Sequence, residues 1–355
     1  MSPPSLPIEI LDEIFDGLPP SALASLCLVC RDFLPIARPR LYSMIRIATP
    51  EDYPPRDIPD DLDIPSQQRL SVLCAQPHLA ALVRSTWVFL LGVKDAEHVQ
   101  DVLKRLVQAC PGLQSVDVEV NLDSAPARDL EDALAELKQL KTLKLCGLRW
   151  DSKTLAVLRA HPQLTSLALE GRHAPSSTEL GEPPSFELQS LHLRGAFAGL
   201  AHHFIRHSHH TLHTLRLSSP VVDLDLSSFT ALRTLTIDGL TESSAETAVK
   251  TASNVPFLDT LTFYPVGPDV ALALERSDFL RRLPPSLRHL QRDLIFTPSY
   301  TLNALRDCSL LPNLKTWNLA QRQPARGGLR NEEIVEIKAA AQARGVELRD
   351  RRGRW

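Results

Sequence analysis

A short pattern that recurs along the chain limits the possible folds more than any other feature. It reads Leu-x-x-Leu-x-Leu, with Val, Ile, Phe or Trp as occasional substitutes, and is shortened to Leu-x-x-Leu in the copy at Leu287. Copies begin at Leu113, Leu140, Leu164, Leu188, Leu212, Leu232, Leu258, Leu287 and Leu314, spaced 20 to 29 residues apart. Within a copy the alternation is that of a strand, whose fourth and sixth positions share one face. Between copies the period turns helical, most clearly over residues 95–110, 129–140, 152–160, 196–207, 244–253 and 270–283. Pro111, Pro162, Pro256, Pro285 and Pro312 each stand two residues before a first leucine, where proline stops a helix and sets up extended chain. Strand, helix and strand at this spacing force parallel pairing through crossovers. The shortest interval, 212 to 232, has no helical period and predicts an extended crossing. Residues 331–344 and 346–348 predict a final polar helix and strand that cap an open end. The expected class is α/β: a solenoid with a parallel sheet on its concave face and helices and loops on its convex face.

Composition supports a folded chain without export or membrane features. Net charge is −3, and 43% of residues are hydrophobic. No apolar run approaches the ~20 residues of a membrane helix, and the first residues lack the basic-then-apolar order of a secretory signal. Six scattered cysteines make no disulfide framework and fit a reducing compartment, cytoplasmic or nuclear. Near-neutral balance gives no field for nucleic acid. The expectation is no membrane and no nucleic-acid partner.

The N-terminal residues form a separate unit. Pro7 suits a first helical turn, and Ile10, Leu11, Ile14, Phe15 and Leu18 make an apolar stripe. Pro19-Pro20 ends that helix, Ser21 starts a second, and Pro35 punctuates before a third segment reaching Ile47. Three short helices in about 40 residues make a marginal unit. Residues 48–69 interleave proline with aspartate and predict a semi-rigid connector. The expected organisation is 1–47 helical, 48–69 connector, 70–330 repeats and 331–355 cap and basic tail.

The run Leu6-Pro7-Ile-Glu9-Ile10-Leu11, then Ile14-Phe15, Leu18-Pro19, Leu26, Leu28-Val29-Cys30-Arg31-Asp-Phe33 and Leu41-Tyr42, resembles an F-box. It departs from the usual pattern at Phe33, where tryptophan is common. The Cys-Pro-Gly-Leu and Leu-Pro-Asn-Leu junctions resemble the irregular leucine-rich repeats that often follow an F-box, notably in fungal proteins. The resemblance implies docking on the Skp-type adaptor of a cullin–RING ubiquitin ligase. Carried over, Leu6, Pro7, Ile10, Ile14, Phe15, Leu18, Leu26 and Val29 would be its apolar contacts. The chain would then be a non-enzymatic substrate receptor, with no catalytic residue, metal or cofactor. A rival expectation is a repeat scaffold that uses the helices only as a cap.

A target protein would be read by the variable columns of the sheet: Asp117, Glu119, Lys144, Glu170, His192, Arg194, Arg216, Asp238, Tyr264 and Asn318. Arg194, Arg216 and Tyr264 stand out by residue type as binding anchors. For a single position the plainer reading is a solvated sheet residue. His202, His203, His207, His209, His210 and His213 cluster, with His203 and His207 on one helical face, yet no acid lies among them. A polar helix and loop is the expectation there, and core packing for Cys27-Leu-Val-Cys30. The basic run ending Arg351-Arg352-Gly-Arg354-Trp355 reads as a solvated tail.

Overall fold

The computed structural model describes residues 7–48, 66–90, 96–126, 128–149, 157–171, 181–218, 223–266, 269–292, 296–318 and 331–349. The chain forms two compact units, residues 1–164 and 165–355.

The first unit opens with three helices, α1 (Ile8–Asp16), α2 (Pro20–Val29) and α3 (Leu34–Ser43). Phe15, Leu23, Ile36 and Ala37 are their core, with Leu11, Leu18, Leu26, Cys27, Phe33 and Leu41 packed around it. Phe15 meets Phe33 edge to face at 5.4 Å. Arg40 on α3 ties down α1 through Asp12 at 2.7 Å. Proline at the first position of α2 needs no N–H partner there.

The expected third helical segment is cut short. Residues Met44–Ala48 are instead a strand, β1, because Ile45 and Ile47 alternate inward while Met44 and Arg46 face out. Beyond it lie α4 (Ser66–Ala75), α5 (Pro77–Ala80), β2 (Ser85–Leu90), α6 (Ala96–Ala109), β3 (Ser115–Pro126), α7 (Arg128–Ala135) and β4 (Thr142–Arg149). The strands pair in parallel in the order β1-β2-β3-β4, with Ser85, Ser115 and Thr142 in one row. Of the proline–aspartate connector, residues 49–65 lie outside the described residues, Ala48 closes β1, and 66–69 open α4. The helix expected over 152–160 is described only from residue 157. The helix expected over 129–140 stops at Ala135, and Leu137 and Leu140 are buried in the turn.

Among the described residues the second unit holds eight parallel strands in sequence order: β5 (Ser166–Gly171), β6 (Ser190–Gly195), β7 (Thr214–Ser218), β8 (Thr234–Leu240), β9 (Thr260–Pro265), β10 (His289–Arg292), β11 (Thr316–Asn318) and β12 (Glu347–Arg349). Ser166, Ser190, Thr214, Thr234, Thr260, His289, Thr316 and Glu347 form one row. The crossovers are α8 (Ala201–Ile205, after a 3-10 turn at Ala196–Leu200), α9 (Glu242–Ser253), α10 (Asp269–Arg276), α11 (Phe279–Arg282), α12 (Pro298–Arg306) and α13 (Asn331–Arg344). The single helix expected over 270–283 is broken between α10 and α11, where Asp278 takes left-handed backbone at φ 46°. The one expected over 196–207 opens as a 3-10 turn and is α-helical only from Ala201 to Ile205. Between β7 and β8, residues 223–226 have neither helix nor strand and bury Leu224 and Leu226.

Template leucines fill the core of both units, from Leu143 and Leu145 to Leu235 and Leu261. A backbone device fixes the register. In most copies the two residues after the first leucine donate their N–H groups to one carbonyl of the preceding repeat. Gln114 and Ser115 share the Arg84 carbonyl, and Arg233 and Thr234 share that of His213; Arg288 and His289 share that of Asp259. In the residue row three before each first leucine, the first unit buries Cys110, Leu137 and His161.

His161 is fully buried, and neither ring nitrogen has a hydrogen bond of good geometry. Burial pushes its pKa below the ordinary 6.5, only partly countered by the Leu134 and Leu137 carbonyls. The unfolded chain therefore takes up a proton near pH 6.5 that the folded unit refuses. Stability is full above that pH and falls as pH drops below it. In urea melts at pH 7.5 and 5.0, His161→Leu is expected to lose less stability on acidification than the parent.

Candidate functional site

On the helical surface, α1 turns Ile8, Ile10 and Ile14 outward, and α2 turns out Leu28 and Val29. Of the residues expected at an adaptor contact, Leu6 lies outside the described residues, while Pro7, Ile10, Ile14 and Val29 are exposed. Phe15 is only 3% exposed, and Leu18 and Leu26 are half-buried against it, so these three hold the helices together. Ile8 and Leu28 join the outward apolar set, although the resemblance carries over neither as a contact. Leu28 sits in the apolar run Cys27-Leu-Val-Cys30, whose period marks no preferred face. Both cysteines are half-buried free thiols.

The strands of the first unit bring together Asp117, Glu119 and Lys144. The Lys144 ammonium lies 3.1 Å from Asp117 and also bonds Glu119. All three side chains are about equally sheltered, so the cluster is closed on itself. Burial raises the pKa of Asp117 against the pull of Lys144. Burial also opposes the charge on Lys144, but Glu119 and Asp117 together outweigh it and raise the pKa. The same row holds Arg46, Trp87 and Asp117 side by side. The Arg46 guanidinium lies 5.4 Å from the Trp87 ring centre, and Trp87 and Phe89 rings are 5.5 Å apart. The leucine pattern does not mark these aromatics, because the buried positions of β2 are Thr86 and Val88, preceded by a buried Val83, rather than leucines.

In the second unit β5 to β9 gather Glu170, His192, Arg194, Arg216, Asp238 and Tyr264. Arg194 lies 2.9 Å from Glu170. Arg216 donates through Nε to Asp238 at 2.6 Å, and its guanidinium lies 5.8 Å from the Tyr264 ring centre. His192 pairs across the strands with Arg216, and its Nε2 is enclosed without a partner. Burial lowers its pKa; Arg216 pushes the same way, and Asp238 and Glu170 pull back. At neutral pH the ring is uncharged. Asn318 sits on β11 opposite Arg349, with β10 between it and this group.

Three of the clustered histidines make polar contacts. His202 meets the Asp223 carbonyl at 3.3 Å, His209 the Ser228 hydroxyl at 3.0 Å and His210 the Thr230 hydroxyl at 3.2 Å. Among the described residues, no three His, Cys, Asp or Glu side chains are grouped to hold a metal ion. No helix among them is long and apolar enough to cross a membrane.

Against known families, residues 4–48 match the F-box-like family. Comparison with curated proteins finds no match to the chain. The chain thus carries an F-box-like domain on α1 to α3, and domains of this family generally bind Skp-type adaptors as parts of non-catalytic subunits.

Proposed function

We propose that the chain is a substrate receptor of a cullin–RING ubiquitin ligase, working in the cytoplasm or nucleus. The F-box-like helices dock on the Skp-type adaptor, and the strands, read as irregular leucine-rich repeats, hold a target protein. The chain would act by raising the local concentration of target beside the charged ligase partner, with no acid or base of its own. The observation that carries this reading is the outward apolar set on α1 and α2. Phe15, Leu23 and Ile36 already fill the core, so Ile10, Ile14, Leu28 and Val29 are surplus to folding.

The test is co-purification of the full chain with a Skp-type adaptor. Ile14 is 49% exposed, so Ile14→Asp should leave the circular dichroism spectrum unchanged. Capture should fall at least about 30-fold, as for a central apolar anchor. Undiminished capture by that variant would overturn the contact surface. A second reading has one observation in its favour: α3 ends at Ser43 and β1 begins at Met44, with no linker. The helices would then only cap the sheet. That reading expects no adaptor capture and unfolding of the repeats on deletion of residues 1–47.

A further inference from the structure

We infer that the face built by β5 to β9 recognises a pair of oxyanions two residues apart on an extended peptide, with Arg194 and Arg216 as the receiving groups. The inference rests on the reading of this face as the target-binding surface and gives that target a chemistry.

The two ion pairs here are asymmetric. Arg194 is 56% exposed above a Glu170 that is 36% exposed. Arg216 is 45% exposed above an Asp238 that is only 11% exposed. The acids lie low and the guanidinium ends stand toward solvent. Each acid takes a single nitrogen, Nη1 of Arg194 and Nε of Arg216. Among the described residues the other nitrogens of both guanidinium groups have no protein acceptor. Arg216 therefore shows its two terminal nitrogens as an open fork, steadied below by Asp238 and at the side by Tyr264. A held guanidinium loses little further freedom on binding, which is what makes it a receptor. Lys144 in the first unit is the contrast, because both its acids are as exposed as the ammonium and enclose it.

Spacing sets the ligand. Arg194 and Arg216 occupy diagonal positions on neighbouring strands, about 8 Å apart at the backbone. Side chains at i and i+2 of an extended peptide are about 7 Å apart. Carboxylate and phosphate both satisfy such forks. Tyr264, 41% exposed, gives the peptide an apolar edge beside the charges.

The test uses the full chain and four labelled peptides that share one neutral backbone. They carry Glu-x-Glu, phosphoserine-x-phosphoserine, Gln-x-Gln or Lys-x-Lys, and binding is read by fluorescence anisotropy. The expected result is binding of the first, the second or both; which of them binds tells carboxylate from phosphate. The Gln and Lys peptides should fail. Arg194→Ala, at an exposed side chain, and Arg216→Lys, which keeps the charge beside Asp238 but loses the fork, should each weaken binding at least about tenfold. No preference for the acidic peptides, or equal binding by both variants, would overturn the inference. Adaptor capture is measured on the same samples. Lost peptide binding with capture intact defeats the oxyanion site and leaves the ligase reading standing; peptide binding without capture does the reverse.

Discussion

Gly195→Ala is expected to destabilise the second unit by about 2–5 kcal/mol, a fall in melting temperature of about 5–15 °C. Gly195 ends β6 with φ 69°, a left-handed backbone that costs any residue with a side chain. An added Cβ would lie 2.4 Å from the Gly171 carbonyl oxygen and 3.3 Å from its carbon. That obstacle is backbone, held in register by the β5–β6 pair, so it cannot swing aside as a side chain would. Relief would require parting the strands that position Glu170 and Arg194. Gly199→Ala is the matched control: nothing lies within 4 Å of its added Cβ, and it sits four residues away in the 3-10 turn. It should melt within about 0.5 kcal/mol of the parent. Differential scanning calorimetry of both variants separates local strain from a general intolerance of alanine.

Phe15→Ala should cost about 3–5 kcal/mol, the usual loss for a buried aromatic. Three helices of about 40 residues have little stability to lose. Phe15 holds α1 to the rest through Leu23, Ile36 and the Phe33 ring, and among the described residues no other aromatic joins that core. The expected result is proteolytic cleavage within residues 7–43, loss of adaptor capture and an unchanged melt of the second unit. Its neighbour Ile14→Asp should lose capture with the helices intact. Adjacent residues on one helix thus separate folding from docking, and limited proteolysis beside the capture assay reads the difference.

The strands were largely legible because their core positions are leucines at regular intervals. Leu191, Leu193, Leu215 and Leu217 announce both their strand and their inward face. β2 hid because Thr86 does the work of a leucine, wholly buried in the row that also holds Val83 and Val88. β1 hid because Ile45 and Ile47 follow a helix without a break, and three residues of alternation look like its last turn. The breaks at Asp278 and in the 3-10 turn after Gly195 are tertiary choices with no marker in the helical period. For the sites, columns could be written out from the template, but contacts could not. That Arg216 reaches across to Asp238 and Tyr264, rather than staying level with His192, depends on a long side chain choosing among neighbours. In the same way, the period places Phe15 and Ile14 on one helix without saying which of them the neighbouring helices will cover.

The shared carbonyl between repeats has a consequence for how such a chain can change over time. The clamp that sets most strands against the one before is made of main-chain atoms alone, as when His213 and Thr214 both reach the Gln189 carbonyl. The residue supplying that carbonyl is Arg, Gln, Thr, His or Asp in different repeats, and the clamp is the same in all. Lineages can therefore rewrite that column, or lengthen and shorten the intervening crossovers, without renegotiating the alignment of the strands. The molecule separates its grammar, carried by main chain and leucine, from its vocabulary, carried by whatever side chains stand on the open face.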